Sequence, residues 1–228
     1  MHDTMNISIH RLKVNERASE ETLSFTADVH INGKLAFMAE NKGCGGPCAF
    51  TPAREQYPKW PRGVPKRPGV TSDPLYKKQM ATYHKGVGEV VTAVNAVIEQ
   101  AEAYADSLPE VPYGCGMEGT FQQDLDSLIH GMASQQHEFN EARKRLQRTL
   151  TNKCLWLHVT KPGVMTVVNR TTRKDMPYTP ELAIKMKTHA TWVGLVRVIL
   201  NELDINEATK LTIEAEDALS AEQEKIEA

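Results

Sequence analysis

A chain of 228 residues can bury a full core, and with 27 Lys and Arg against 29 Asp and Glu it is too neutral to coat nucleic acid through overall charge. Forty per cent of its residues are hydrophobic, with no apolar run of about eighteen, and its four cysteines are too sparse for a disulfide scaffold. No membrane span is therefore expected, reduced thiols are expected, and the opening MHDTMNISIHRL lacks the basic start and apolar stretch of a secretory signal. A cytoplasmic location follows as an expectation.

In chain order, Met5 to Val14 and Leu23 to Ala39 read as a three-stranded antiparallel meander. Leu23, Phe25, Ala27, Val29 and Ile31 alternate with polar residues, the period of a strand with one buried face, and Asn32-Gly33 supplies the two positive-φ residues of a tight hairpin. Thr51 to Val70 then places Pro52, Pro58, Pro61, Pro65 and Pro68 among Arg54, Lys59, Arg62, Lys66 and Arg67, which rules out helix or central strand. This is an extended basic arm.

Asp73-Pro74 opens a helix predicted to run to about Ser107 before Pro109, with Leu75, Met80, Tyr83, Val87, Val90, Val91, Val94, Ile98 and Ala101 on its inner face and Gly86 and Gly88 weakening it. Thr120 with Gln123 resembles a capping box for a second helix to about Leu150. A hairpin follows, Cys154 to Val159 and Val164 to Val168; Thr179-Pro180 begins a third helix, and Asp204 with Glu207 caps the last. The class is α+β, in four regions: a β-meander with a Gly-rich loop over 1–52, the Pro-rich arm over 53–71, a helical body with an inserted hairpin over 72–203, and an acidic helix over 204–228.

Three stretches carry a resemblance. INGKLAFMAENKGCGGP, RLQRTLTNKCLWLHV, and MPYTPELAIKMK followed by VRVILNEL are similar to segments of a widespread set of uncharacterised phage and prophage proteins. The resemblance implies a phage origin and an α+β layout. Accessory proteins of this kind often act on host machinery, including antiviral defence systems, so binding to a host protein is the expected role.

No residue set forms a diagnostic active site, and no catalytic group, cofactor or metal is expected. The arm is the best candidate surface: Tyr57, Lys59, Trp60, Arg62, Lys66 and Arg67 combine aromatic anchors with cations and prolines that lower the entropy lost on docking. The same residues could neutralise phosphates and stack on bases, which makes nucleic-acid binding the alternative. Gly43, Gly45 and Gly46 could aim N–H groups at an anion, or could serve only the turn, since the Lys-Ser/Thr of a P-loop is missing. Cys44 and Cys48 with a distant histidine would be needed for a third reading, a thiol- or metal-dependent enzyme. His130 and His137, seven apart, read as a polar helix margin. From Asn201 onward nine acidic side chains face only Lys210 and Lys225, and the thin stripe of Ala208, Leu211, Ala215, Ala218, Leu219, Glu222 and Ile226 suits a helix packed on another chain. Homo-oligomerisation, with basic arm meeting acidic tail, is the expected self-association.

Overall fold

The computed structural model describes residues 5–62, 64, 74–112, 119–161, 164–168, 178–188 and 196–227. The chain divides into two compact units, Met1–His137 and Glu138–Ala228. The architecture is α+β, with antiparallel sheets and four α-helices among the described residues.

In the first unit, β1 (Ile7–Val14), β2 (Phe25–Ile31), β3 (Lys34–Asn41) and β4 (Ala49–Thr51) pair in sequence order. The Asn-Gly hairpin forms as its chemistry requires, with Asn32 at φ 50° and Gly33 at φ 77°. The meander has a fourth strand that sequence reasoning missed, because three residues are too few for a period. Phe25, Ala27, Val29, Phe37 and Ala39 bury the inner face of the sheet. Helix α1 (Pro74–Asp106) packs against them through Val94, Ile98, Ala101 and Ala105, and α2 (Leu125–Asn152) through Leu125, Ile129 and Ala133.

The expected inner face of α1 is corrected at its start. Leu75 is 61% exposed, Met80, Tyr83, Val87, Val90 and Val91 are half-buried, and full burial begins at Val94. Asp73, the expected cap, lies outside the described residues. Helix α2 also starts later than expected: Thr120–Phe121 (β6) pairs with Val111–Pro112 (β5), so those residues are extended. The cap is instead Asp124, whose Oδ1 accepts the Ser127 N–H at 2.7 Å while Ser127 Oγ accepts the Asp124 N–H at 3.0 Å.

In the second unit, β7 (Trp156–Lys161) pairs with β8 (Val164–Val168) and also with β9 (Val196–Ile199), giving a three-stranded sheet where a lone hairpin was expected. Two apolar clusters hold it. Leu146, Leu155, Leu157 and Leu200 surround Ala208 and Ala215 of α4 (Ile205–Glu227), and Cys154, Trp156 and Ile199 pack on Ala183 and Met186 of α3 (Pro180–Thr188).

Asn201, Thr179 and Glu202 act as clasps in this unit. Asn201 Oδ1 accepts the Leu155 N–H at 2.8 Å, and its Nδ2 donates to the carbonyls of Lys153 and Leu150 at 3.0 and 3.2 Å, closing the end of α2 onto β7. Thr179 Oγ1 accepts the Leu182 N–H at 3.1 Å and so caps α3, with Pro180 in the first turn where no N–H is needed. Glu202 takes Lys187 at 2.6 Å.

Candidate functional site

The Pro-rich arm is laid against its own unit at both ends of its described part. Pro52 and Ala53 are buried, the Ala53 N–H donates to Gln56 Oε1 at 2.6 Å, and Gln56 Nε2 donates to the Ala36 carbonyl at 2.8 Å. Farther on, Trp60 Nε1 donates to the Val64 carbonyl at 2.9 Å, and the Trp60 ring meets Tyr83 edge-on at 5.0 Å. Val64 is buried beneath that turn.

Docking the arm on the first turns of α1 leaves a groove of about 410 Å³. Pro58 and Pro61 form one wall and Leu75 and Tyr83 the other, with Lys59 and Lys78 among the lining residues and no acidic side chain among the described ones. Leu75, Lys78, Gln79 and Thr82 follow the three- and four-residue steps of a single helix face. That spacing was the available signal for the α1 contribution. Sequence reasoning assigned Leu75 and Tyr83 to a core instead, because periodicity states that a face is apolar without stating what covers it.

Of the six arm residues singled out, Lys59 and Arg62 are exposed, while Tyr57 and Trp60 are partly buried. Trp60 serves as a staple between arm and helix. Lys66 and Arg67 lie outside the described residues.

In the Gly-rich loop, the Gly43 and Gly45 N–H groups, two of the three an anion would need, have internal partners. The Gly43 N–H donates to Asn41 Oδ1 at 2.8 Å and the Gly45 N–H to Thr22 Oγ1 at 3.3 Å. The Gly43 carbonyl accepts three N–H groups, from Glu20, Glu21 and Thr22. Asn41 also donates to the Gly46 carbonyl at 3.0 Å, which makes this loop a closed turn around a buried amide. The geometry supports the turn reading rather than an anion nest.

Cys48 is buried, its N–H donates to Asp126 Oδ1 at 2.7 Å, and its thiol is pushed up to about 12 by burial first and by the Asp126 carboxylate second. That is the wrong direction for a nucleophile or a thiolate ligand. Cys44 is exposed, and Cys154 is buried with its thiol shifted upward by desolvation. Among the described residues no three His, Cys, Asp or Glu side chains gather as a metal set. His130 sets its ring edge-on to Phe25 at 6.0 Å, at the core margin.

A second polar cluster sits on the outer face of the same sheet. Ser8 Oγ lies 3.3 Å from His10 Nε2, and the His10 and His30 rings stand 4.1 Å apart. A Ser–His pair needs a carboxylate to orient the imidazole. Asp28, opposite His10, instead accepts from Arg11 Nε, and Arg11 Nη1 reaches Glu55 at 2.7 Å. The Arg11 hydrogen bond holds the Glu55 carboxyl below its ordinary range. Arg11 sits at φ 50° in a β-bulge between His10 and Lys13, the distortion that aims its guanidinium at both acids.

Compared with protein-family models, curated proteins and solved structures, the chain matches none. No described helix is long and apolar enough to cross a membrane.

Proposed function

We propose that this chain is a non-enzymatic binding protein, a phage accessory factor that works in the host cytoplasm, assembles with itself and engages a host protein of an antiviral defence system through the groove between arm and α1. One observation carries the binding reading: a preformed concave surface whose apolar walls, Pro58, Pro61, Leu75 and Tyr83, stand beside Lys59 and Lys78, with no acid among the described lining residues. Such a surface suits a peptide or helix with an apolar anchor and acidic flanks. Pro58, Pro61 and the Trp60 staple hold the described part of the arm before any partner arrives, so little entropy is lost on docking. The phage and host attributions rest on the resemblance alone.

The test is capture from host lysate with nuclease present, comparing the wild type with Lys59→Glu/Arg62→Glu. Alanine at Trp60 is avoided because it would release the arm from α1. The expected result is a stoichiometric host protein that survives nuclease and is lost in the charge-reversed variant. Nucleic acid recovered with steep salt dependence would overturn protein binding in favour of the nucleic-acid reading.

A further inference from the structure

We propose that His10 and His30 form an open two-imidazole chelate for a divalent late transition metal ion, of the Ni(II) or Cu(II) class, on the outer face of the β1–β2 pair. The inference concerns a different surface from the groove and does not rest on the binding reading above.

The sheet dictates the placement. Register sets Ser8 opposite His30 and His10 opposite Asp28, so the two histidines are diagonal neighbours across the strands. Ile7, Ala27 and Val29 are buried in the core, and strand alternation therefore turns both imidazoles to the outer face, where His10 is exposed and His30 half-buried. The ring centroids stand 4.1 Å apart and the rings are tilted by 41°. A metal held at about 2.1 Å from each of two nitrogens needs those nitrogens about 3 Å apart. The broad terminal torsion of each histidine allows that spacing from rings already side by side. His10 Nε2 faces the right way, since it lies 3.3 Å from Oγ of Ser8, the residue directly across from His30. That contact is longer than a good hydrogen bond and is given up at little cost. The two histidines are distant in the sequence, so no motif spacing announces the pair.

The surrounding charges favour a cation. Arg11 engages both Asp28 and Glu55, one positive charge against two negative, which leaves a net negative charge beside the imidazoles. Because both carboxylates turn to Arg11, the imidazoles keep their nitrogens for another ligand. Lys13, farther along the same face, stands opposite Thr26, which stands opposite Glu40 on the next strand, so that row is balanced. Imidazole nitrogen selects nickel, copper or zinc over calcium and magnesium, which take oxygen ligands. Among the described residues no set of three His, Cys, Asp or Glu side chains gathers, so water completes the coordination and the site is open rather than a closed structural centre. A chelate spanning two strands exists only in the folded chain, so the metal stabilises the fold by mass action.

The experiment is equilibrium dialysis of the untagged full chain against Ni(II), with retained metal measured by elemental analysis and thermal melts recorded with and without Ni(II). Wild type is expected to retain one Ni(II) per chain and to melt higher in its presence. His84→Gln, at an exposed histidine of α1, should behave as wild type. His10→Gln and His30→Gln should each lose the bound ion and the shift in melting, while their melts without metal report that they fold. In the wild type, Ni(II) should broaden the ring resonances of His10 and His30 ahead of the other histidines, a readout that needs no substitution. Retention of no Ni(II) by the wild type overturns the proposal. Retention unchanged in both variants places the ion elsewhere, at Cys44 for example, and overturns it equally. Loss in only one of the two variants shows a single-imidazole contact and overturns the chelate.

Discussion

Gly43 and Gly33 share a positive φ, 84° and 77°, yet differ in what surrounds them. A Cβ at Gly43 would stand 2.1 Å from the Ala18 carbonyl oxygen and 2.8 Å from Ser24 Cβ, whereas at Gly33 nothing lies within 4 Å. Gly33→Ala is expected to cost about 1–2 kcal/mol, the left-handed penalty alone. Gly43→Ala adds a backbone clash and the loss of a loop on which three N–H groups converge, so its urea midpoint should fall well below that of Gly33→Ala. Equal midpoints would show that the loop yields freely. Cysteine reactivity is the second residue-scale expectation. With the Cys48 thiol at about 12, alkylation near pH 8 followed by peptide mass mapping should label Cys44 and spare Cys48 and Cys154 in the folded chain. Labelling of Cys48 as fast as Cys44 would mean that the Asn41 loop opens. The Asn-Gly turn was legible from two residues because its backbone demand is local. The clash at Gly43 was not, since Ala18 reaches it only through the fold.

At the scale of elements, caps and breakers decide where helices begin and how firmly they hold. Asp124→Ala should cost about 1 kcal/mol, the usual worth of an N-cap. The Ser127 hydroxyl, and then its N–H, hold the Asp124 carboxyl below its ordinary range. A depressed carboxyl contributes stability that is complete above the unfolded pKa and is lost as pH falls through the folded one, so the cap weakens only in acid. Stability measured against pH should show that acid-side loss in the wild type and lose that part of it in Asp124→Asn. In α1, Gly88 has open space where a Cβ would go, and Gly88→Ala is expected to stabilise by up to about 1 kcal/mol in thermal melts. A loss there would indicate that the glycine serves a contact. The Thr120 misreading has a physical cause: a Thr with Gln three residues on satisfies the capping pattern, but pairing with Val111–Pro112 competes for the same backbone.

For the whole molecule, the charge balance conceals a separation. The arm and the first half of α1 carry Lys59, Arg62, Lys77, Lys78 and Lys85 while α4 carries Glu214, Glu216 and Asp217, so a net charge of −2 says little about what the surfaces attract. Alternation, the Asn-Gly turn and the three- and four-residue stripes determined the α+β class, the hairpin and the existence of the four helices among the described residues, because each depends on local dihedral preference and on period. The tertiary structure decided the rest: that β9 joins β7, that Asn201 closes α2 onto a segment 46 residues earlier, that Trp60 staples the arm to Tyr83, and that Ala208 and Ala215 of α4 are buried. Those outcomes turn on which apolar face meets which, and burial is a property of distant segments brought together, invisible to any window of neighbouring residues.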